Sequence, residues 1–502
     1  MNKNKLGYAI AVALFSTTVL TGCGGSSSSD DDGAQAPSAP PETSRAQDER
    51  SFTVPAVETL QFEAVDPSAF PTPIPDTERF YGIYDGLMGE SLYAVEIPEN
   101  WNGGLVMYTH GYSADGVLGG QVPNDAFRAA VLQSGYAWAG SSYSADFYDV
   151  RAAIEDTNKL ATEVMDYLLT DWGVQYDAPD QILIAGYSLG GHTAAAAVDR
   201  ENMQRTLYPV DYAGAMPMCQ AEQNQFQWLG DYARVAQHLA GYGYVDHSEF
   251  QSLIGTFQGR LIVQPGPIVK NLFELDPNTG LPTWEPANLN GERLMGIAMN
   301  LTGGDRPIFE EGFKSFYQNI VFSSGGGDGT INGILDRNLY DNTDRVYRWT
   351  TDENPTAAEL AFNEQIERVS ADAGVNSRRD DGVRWIPRVE GDFDVPVMTM
   401  HTLGDLYVPF RHQQLYREGA IENGNSDLLV QRAIRAAGHC DFSATETMLG
   451  LTEFLLWVND GPKPAGNEVL DPAVVADPEY GCEFTRNDAS VDRSALPSCS
   501  ET

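Results

Sequence analysis

The stretch Gln181-Ile-Leu-Ile-Ala-Gly-Tyr-Ser-Leu-Gly-Gly-His192 constrains this chain more than any other. Ile182 to Ala185 is a short apolar run suited to a buried strand, and Ala194 to Val198 is an alanine-rich helix former. Between them, Gly186-Tyr187-Ser188-Leu189-Gly190 fits Gly-x-Ser-x-Gly, so the order is strand, sharp turn, helix. Glycines two residues either side of a serine leave room for a tight, strained turn that lifts its Oγ above a sheet. The plain alternative is a glycine-flanked junction with an ordinary serine, and the motif alone does not separate the two. The flanking strand and helix favour the first reading.

The rest of the chain repeats the same alternation. Strands are expected at Ser91–Ile97, Leu105–Thr109, Tyr136–Gly140, Val210–Cys219, Val395–Met400 and Leu428–Ile434. Helices are expected near Asp125–Ser134, Val150–Trp172, His412–Gly419 and Thr445–Trp457. Between 150 and 172 the apolar residues Val150, Ile154, Ala161, Val164, Leu168 and Trp172 fall at spacings of three, four and their sums, the mark of an amphipathic helix. Strands alternating with helices predict an α/β fold, a mostly parallel sheet with both faces covered. The rhythm breaks between Gln220 and Gly391, where helical pieces (231–240, 310–319, 355–372) and many aromatics occur, Phe226, Trp228, Tyr232 and Trp284 among them. An insert of that length after a core strand reads as a cap, its aromatics mostly its own core. The glycine run at 323–329 lacks the oxygen-ligand spacing of a Ca²⁺ loop and reads as an ordinary loop. The expected division is a leader at 1–22, a polar tether at 23–50 and the first part of the core at 51–219. A cap at 220–391, the remaining core at 392–460 and a tail at 461–502 follow.

An activated serine needs a base, and the base needs an acid to orient it. Seven histidines are available. His192 lies on the helix leading away from Ser188, His238 and His247 fall in the insert, and His412 falls on a helix. His110 is better placed for the oxyanion side, and His401 precedes the acid candidate. His439, in the loop after the last strand, satisfies the chain order Ser…Asp…His. Asp405 follows a strand end 34 residues earlier and is the expected acid, with Asp441 as its rival. Oxyanion donors are expected from the backbone N–H groups of Leu189 and Tyr112.

Gly186-Tyr-Ser-Leu-Gly190, the His110-Gly111 loop, Asp405 and His439 together resemble the α/β-hydrolase superfamily over residues of about 80–221 and 392–458. The resemblance implies an α/β-hydrolase fold and a serine hydrolase that cleaves a carboxylic ester through an acyl-enzyme, without cofactor or metal. The expected substrate is an ester, with aromatic or polymeric esters included. His439-Cys440 is similar to the tannase and feruloyl-esterase group, whose nucleophile and histidine have bridged cysteines beside them; Tyr187 stands where that group has cysteine. Two rivals are a peptidase or amidase of the prolyl-oligopeptidase type and a non-catalytic, hydrolase-shaped binding lipoprotein. About 60 residues before the first core strand are too few for the propeller that prolyl-oligopeptidase relatives carry.

Charge excludes one partner class. With 71 acidic against 31 basic residues the net charge is −40, which disfavours nucleic acid. It suits a habitat of high salt, where screening weakens self-repulsion. At the N-terminus, Lys3 and Lys5 precede an apolar run from Leu6 to Leu20 that is short and polar for a membrane span. Its end, Leu20-Thr21-Gly22-Cys23, resembles the lipobox of bacterial lipoproteins, which implies cleavage before Cys23 and lipidation of its thiol. A lipid anchor would then hold the chain to a membrane, and Gly24 points to the outer membrane, on its periplasmic or cell-surface side. Four further cysteines, Cys219, Cys440, Cys482 and Cys499, allow three pairings in an exported protein. Proximity favours Cys482–Cys499, leaving Cys219–Cys440. No Cys-x-x-Cys or clustered Cys/His spacing suggests zinc.

Overall fold

The structure, a computed structural model, describes residues 49–56, 62, 76–245, 247–258, 261–315, 335, 337–352 and 354–500. The leader, Cys23, the tether as far as residue 48, the glycine run at 323–329 and the aromatics Phe316 and Tyr317 lie outside the described residues. Among the described residues no helix is long and apolar enough to cross a membrane.

Eight strands make one sheet: β1 Thr77–Asp85, β2 Glu90–Pro98, β3 Gly104–Thr109, β4 Ala137–Ser141, β5 Gln181–Tyr187, β6 Tyr212–Met218, β7 Val397–Thr402 and β8 Leu429–Ile434. Their order is β1-β2-β4-β3-β5-β6-β7-β8. β2 runs antiparallel to both β1 and β4, and the pairs from β4 to β8 are parallel. This is the α/β-hydrolase fold. The parallel strands read as continuous apolar runs because both faces are buried, and the pleat deals alternate residues to opposite sides. Leu105, Met107 and Ile184 face α2 (Val150–Trp172) and α3 (Leu189–Ala197). Val106, Tyr108, Leu183 and Ala185 face α1 (Asp125–Gln133) and a helix at Ala444–Trp457.

Residues 220–391 interrupt this sheet between β6 and β7 and build their own apolar cluster, in which Trp228, Phe250, Phe273, Phe313 and Phe362 are buried. Two short antiparallel ribbons stand there beside the helices, at 255–258 with 261–265 and at 273–275 with 282–286. The helix-only reading of the insert missed them because strands of three to five residues carry too few alternations to register. β1 was also unexpected; its alternating pattern sits on a half-exposed edge strand, behind a proline-rich lead-in.

Candidate active site

Ser188 stands between β5 and α3 at φ 61° and ψ −118°, a backbone conformation that L-residues rarely hold. The flanking glycines are dictated by contact. A methyl at Gly186 would sit 2.0 Å from Thr109 Oγ1, and one at Gly190 would sit 2.0 Å from the Thr109 carbonyl oxygen. Thr109, the last residue of β3, donates its hydroxyl to the carbonyls of Ala185 (3.2 Å) and Gly190 (2.7 Å), stapling both sides of the turn. Ser188 N–H donates to the Met218 carbonyl at the end of β6 (3.0 Å). The strained turn is therefore held from two neighbouring strands.

His439 follows β8 and meets this serine. Its Nε2 lies 2.7 Å from Ser188 Oγ, and its Nδ1 lies 2.6 Å from Asp405 Oδ2. The carboxyl that meets His439 is that of Asp405, not that of Asp441, whose carboxyl burial pushes upward. Asp405 is fully buried after β7, and its Oδ1 accepts the N–H groups of Tyr407 and Val408, both at 2.9 Å. A carboxylate with every oxygen engaged fixes the imidazole as the Nδ1–H tautomer, so Nε2 is free to accept the serine proton. Thr402 Oγ1 donates to the Gly438 carbonyl (2.7 Å) and ties the acid loop to the histidine loop.

Four further histidines have different surroundings. Burial pushes His110, His192 and His401 down to about 4, so each is neutral at pH 7. His110 stacks on Tyr143 with ring centres 3.9 Å apart and donates from Nδ1 to the Gly111 carbonyl (2.7 Å). His192 accepts from the Tyr148 hydroxyl and donates to the Pro387 carbonyl. His401 donates to the Val408 carbonyl (2.9 Å), bracing the acid loop from within β7. His412 is fully buried beside Gln225.

Leu189 is the first residue of α3, where a backbone N–H has no acceptor within the helix. The loop carrying Tyr112 comes close on the same side: a methyl at Gly111 would lie 3.5 Å from Ser188 Cβ. Cys219, just after β6, is disulfide-bonded to Cys440, which directly follows His439, and Cys482 is bonded to Cys499 in the tail. Cysteines 219 and 440 with His439 form a ligand-sized cluster, but both thiols are consumed in the bridge. Sequence reasoning missed Thr109 and the side chains of the insert and tail that hold these loops, since single polar residues in aperiodic segments carry no pattern.

No family model matches the sequence. An o-phthalyl amidase from Xanthobacter agilis is 24% identical over 425 residues, covering 78% of this chain and 89% of that protein. Feruloyl esterase B from Aspergillus oryzae superposes with a TM-score of 0.41 at 15% identity, covering 81% of this chain and 86% of its own. A thermostable esterase from Pseudomonas putida ECU1011 gives a TM-score of 0.34 at 12% identity, covering 76% and 78%.

Proposed function

We propose that this chain is a serine hydrolase that cleaves a carboxylic ester through an acyl-enzyme. The observation that carries the reading is the hydrogen-bonded line Ser188–His439–Asp405, with a strained serine at one end and a saturated, buried carboxylate at the other. In the proposed reaction His439 Nε2 takes the Ser188 proton as Oγ attacks the ester carbonyl carbon. The oxyanion is received by the N–H groups of Leu189 and Tyr112. Asp405 stabilises the imidazolium, which then gives its proton to the departing alkoxide. Water, deprotonated by the same imidazole, attacks the acyl-enzyme and releases Ser188. The insert at 220–391 is assigned as the cap that shapes the acyl site, and the acidic surface favours neutral or cationic substrates over anionic ones.

Amide cleavage is the second reading, favoured by the sequence likeness to a protein named as an amidase. The two are separated by ester and anilide substrates that share one acyl group. A fluorophosphonate probe tests the common core: wild type is expected to label and Ser188→Ala not to. A folded wild type that does not label would overturn both readings. Anchoring through Cys23 is proposed on the same footing; incorporation of an alkyne-palmitate into wild type but not Cys23→Ala tests it.

A further inference from the structure

The turn that carries Asp405 is gripped from outside by side chains of the insert. Leu403 and Gly404 donate their N–H groups to the carbonyls of Ile434 and Ala436, which holds the turn against β8. Three of its own carbonyls, those of Leu403, Leu406 and Tyr407, are taken by insert residues. Arg306 Nε donates to the Leu403 carbonyl (2.7 Å), the Tyr232 hydroxyl to that of Leu406 (3.3 Å), and Gln225 Nε2 to that of Tyr407 (2.6 Å). There is no slack between them: a methyl on Gly404 would meet Ala437 Cα at 2.7 Å and the Ile308 carbonyl at 2.9 Å.

Arg306 differs from the other two because it is charged. It is 4% exposed, and among the described residues no carboxylate lies within ion-pair distance of its guanidinium. Its other donors go to the Gly304 carbonyl (2.9 Å) and Thr302 Oγ1 (3.2 Å), and the rings of Phe309 and Phe410 flank it at 5.0 and 5.9 Å. A buried cation without a contacting anion is costly unless something else compensates it. The anions whose fields it feels are Asp405, which is fully buried, and Asp305, which is exposed and so screened by water. Desolvation lowers its pKa to about 10, still well above pH 7, so it remains a cation. At this depth a charge acts over a longer range than at the surface.

We propose that Arg306 is a positioning residue for the acid of the triad: it fixes the Leu403 carbonyl, and so the aim of Asp405 at His439. The inference rests on the serine-hydrolase reading above. It makes part of the insert a component of the catalytic apparatus rather than a detachable cover.

The test compares wild type, Arg306→Met and Arg306→Lys in the full chain, with p-nitrophenyl acetate as substrate. Competent sites are counted by the final extent of fluorophosphonate labelling, and kcat is expressed per competent site. Arg306→Met is expected to lower kcat by about 10–100-fold with KM changed less than about threefold, the loss typical when a partner that orients a reacting group is removed. Arg306→Lys keeps the charge but not the planar fork, so its kcat should fall between the two. A kcat per site within about twofold of wild type in Arg306→Met, whatever its stability, would overturn the proposal by making the residue merely structural. If Arg306→Met does not fold, Arg306→Lys decides: a kcat per site equal to wild type overturns the proposal, and a fall of about fivefold or more at unchanged KM supports it. An inert wild type would instead reject the hydrolase reading itself.

Discussion

Removing the Cys219–Cys440 bridge, by substituting both cysteines with alanine, should cost more in activity than in stability. The bridge spans 221 residues, and chain entropy alone would make it worth about 5 kcal/mol, against about 3 kcal/mol for Cys482–Cys499, which spans 17. Strain reduces the first figure. Cys219 and Cys440 both hold left-handed backbone, at φ 41° and 51°, which costs a non-glycine residue roughly 1–2 kcal/mol each. Cys482 and Cys499 hold no such conformation. Once unbridged, residues 219 and 440 can relax, so the net loss should be about 1–3 kcal/mol, no more than for the short bridge. Relaxation at 440 turns the backbone next to His439, whose Nε2 lies 2.7 Å from Ser188 Oγ, and a displacement of about 1 Å there can cost about 10²-fold in rate. Urea unfolding followed by tryptophan fluorescence measures the first effect, and ester hydrolysis per labelled serine measures the second. The reasoning fails if the double variant loses the full 5 kcal/mol yet keeps wild-type turnover, or if removing the tail bridge slows turnover equally.

Other outcomes follow from the same geometry. Asp405→Asn keeps the size of the acid but favours the wrong imidazole tautomer, so kcat should fall about 10⁴-fold while the variant stays folded by circular dichroism. Burial raises the carboxyls of Asp146, Asp156 and Asp231 to about 6, so the native state binds more protons than the unfolded chain between about pH 4 and 6. Their stabilisation is complete below the unfolded carboxylate range and is lost as pH rises through 6; the urea midpoint should therefore decline from pH 5 to 7, and Asp156→Asn should flatten that slope. Gly186→Ala forces a methyl against Thr109, and a loss of about 1–3 kcal/mol with a marked fall in labelling rate is expected; unchanged labelling would show that the turn has room.

The parts of this molecule that were legible in sequence are those where one physical requirement leaves few residue choices. A serine lifted on a turn that touches the backbone of the neighbouring strand demands glycine at 186 and 190, and the chain writes both. A parallel sheet buried on two faces demands unbroken apolar runs, which is why β3, β5, β6 and β7 could be placed to within two residues. Helix α2 was placed at its observed ends, because 23 residues give the 3.6-residue period many repeats and Gly173 closes it in left-handed conformation. His439 was singled out by elimination among seven candidates and Asp405 by its position after a strand, and the fold brings both to Ser188.

What was not legible is held by single contacts between distant segments. Arg493 lies in a tail without periodicity, yet it is buried and bonds both oxygens of Glu446 at 2.7 and 2.9 Å. The same guanidinium also bonds the Asp441 carbonyl, two residues past His439. Arg306 does the matching task for the acid loop from the insert. Arginine is common on any surface, and nothing local distinguishes these two from the exposed Arg378 or Arg388. Burying a fork of donors becomes favourable only when the fold brings a carbonyl or carboxylate to it, and that information resides in the topology, not in the segment. The loops after β7 and β8 that carry Asp405 and His439 are thus braced by two segments that the core motif does not contain. A transplant of the core strands and their motif residues alone would carry Ser188, Asp405 and His439 but not what keeps them in line.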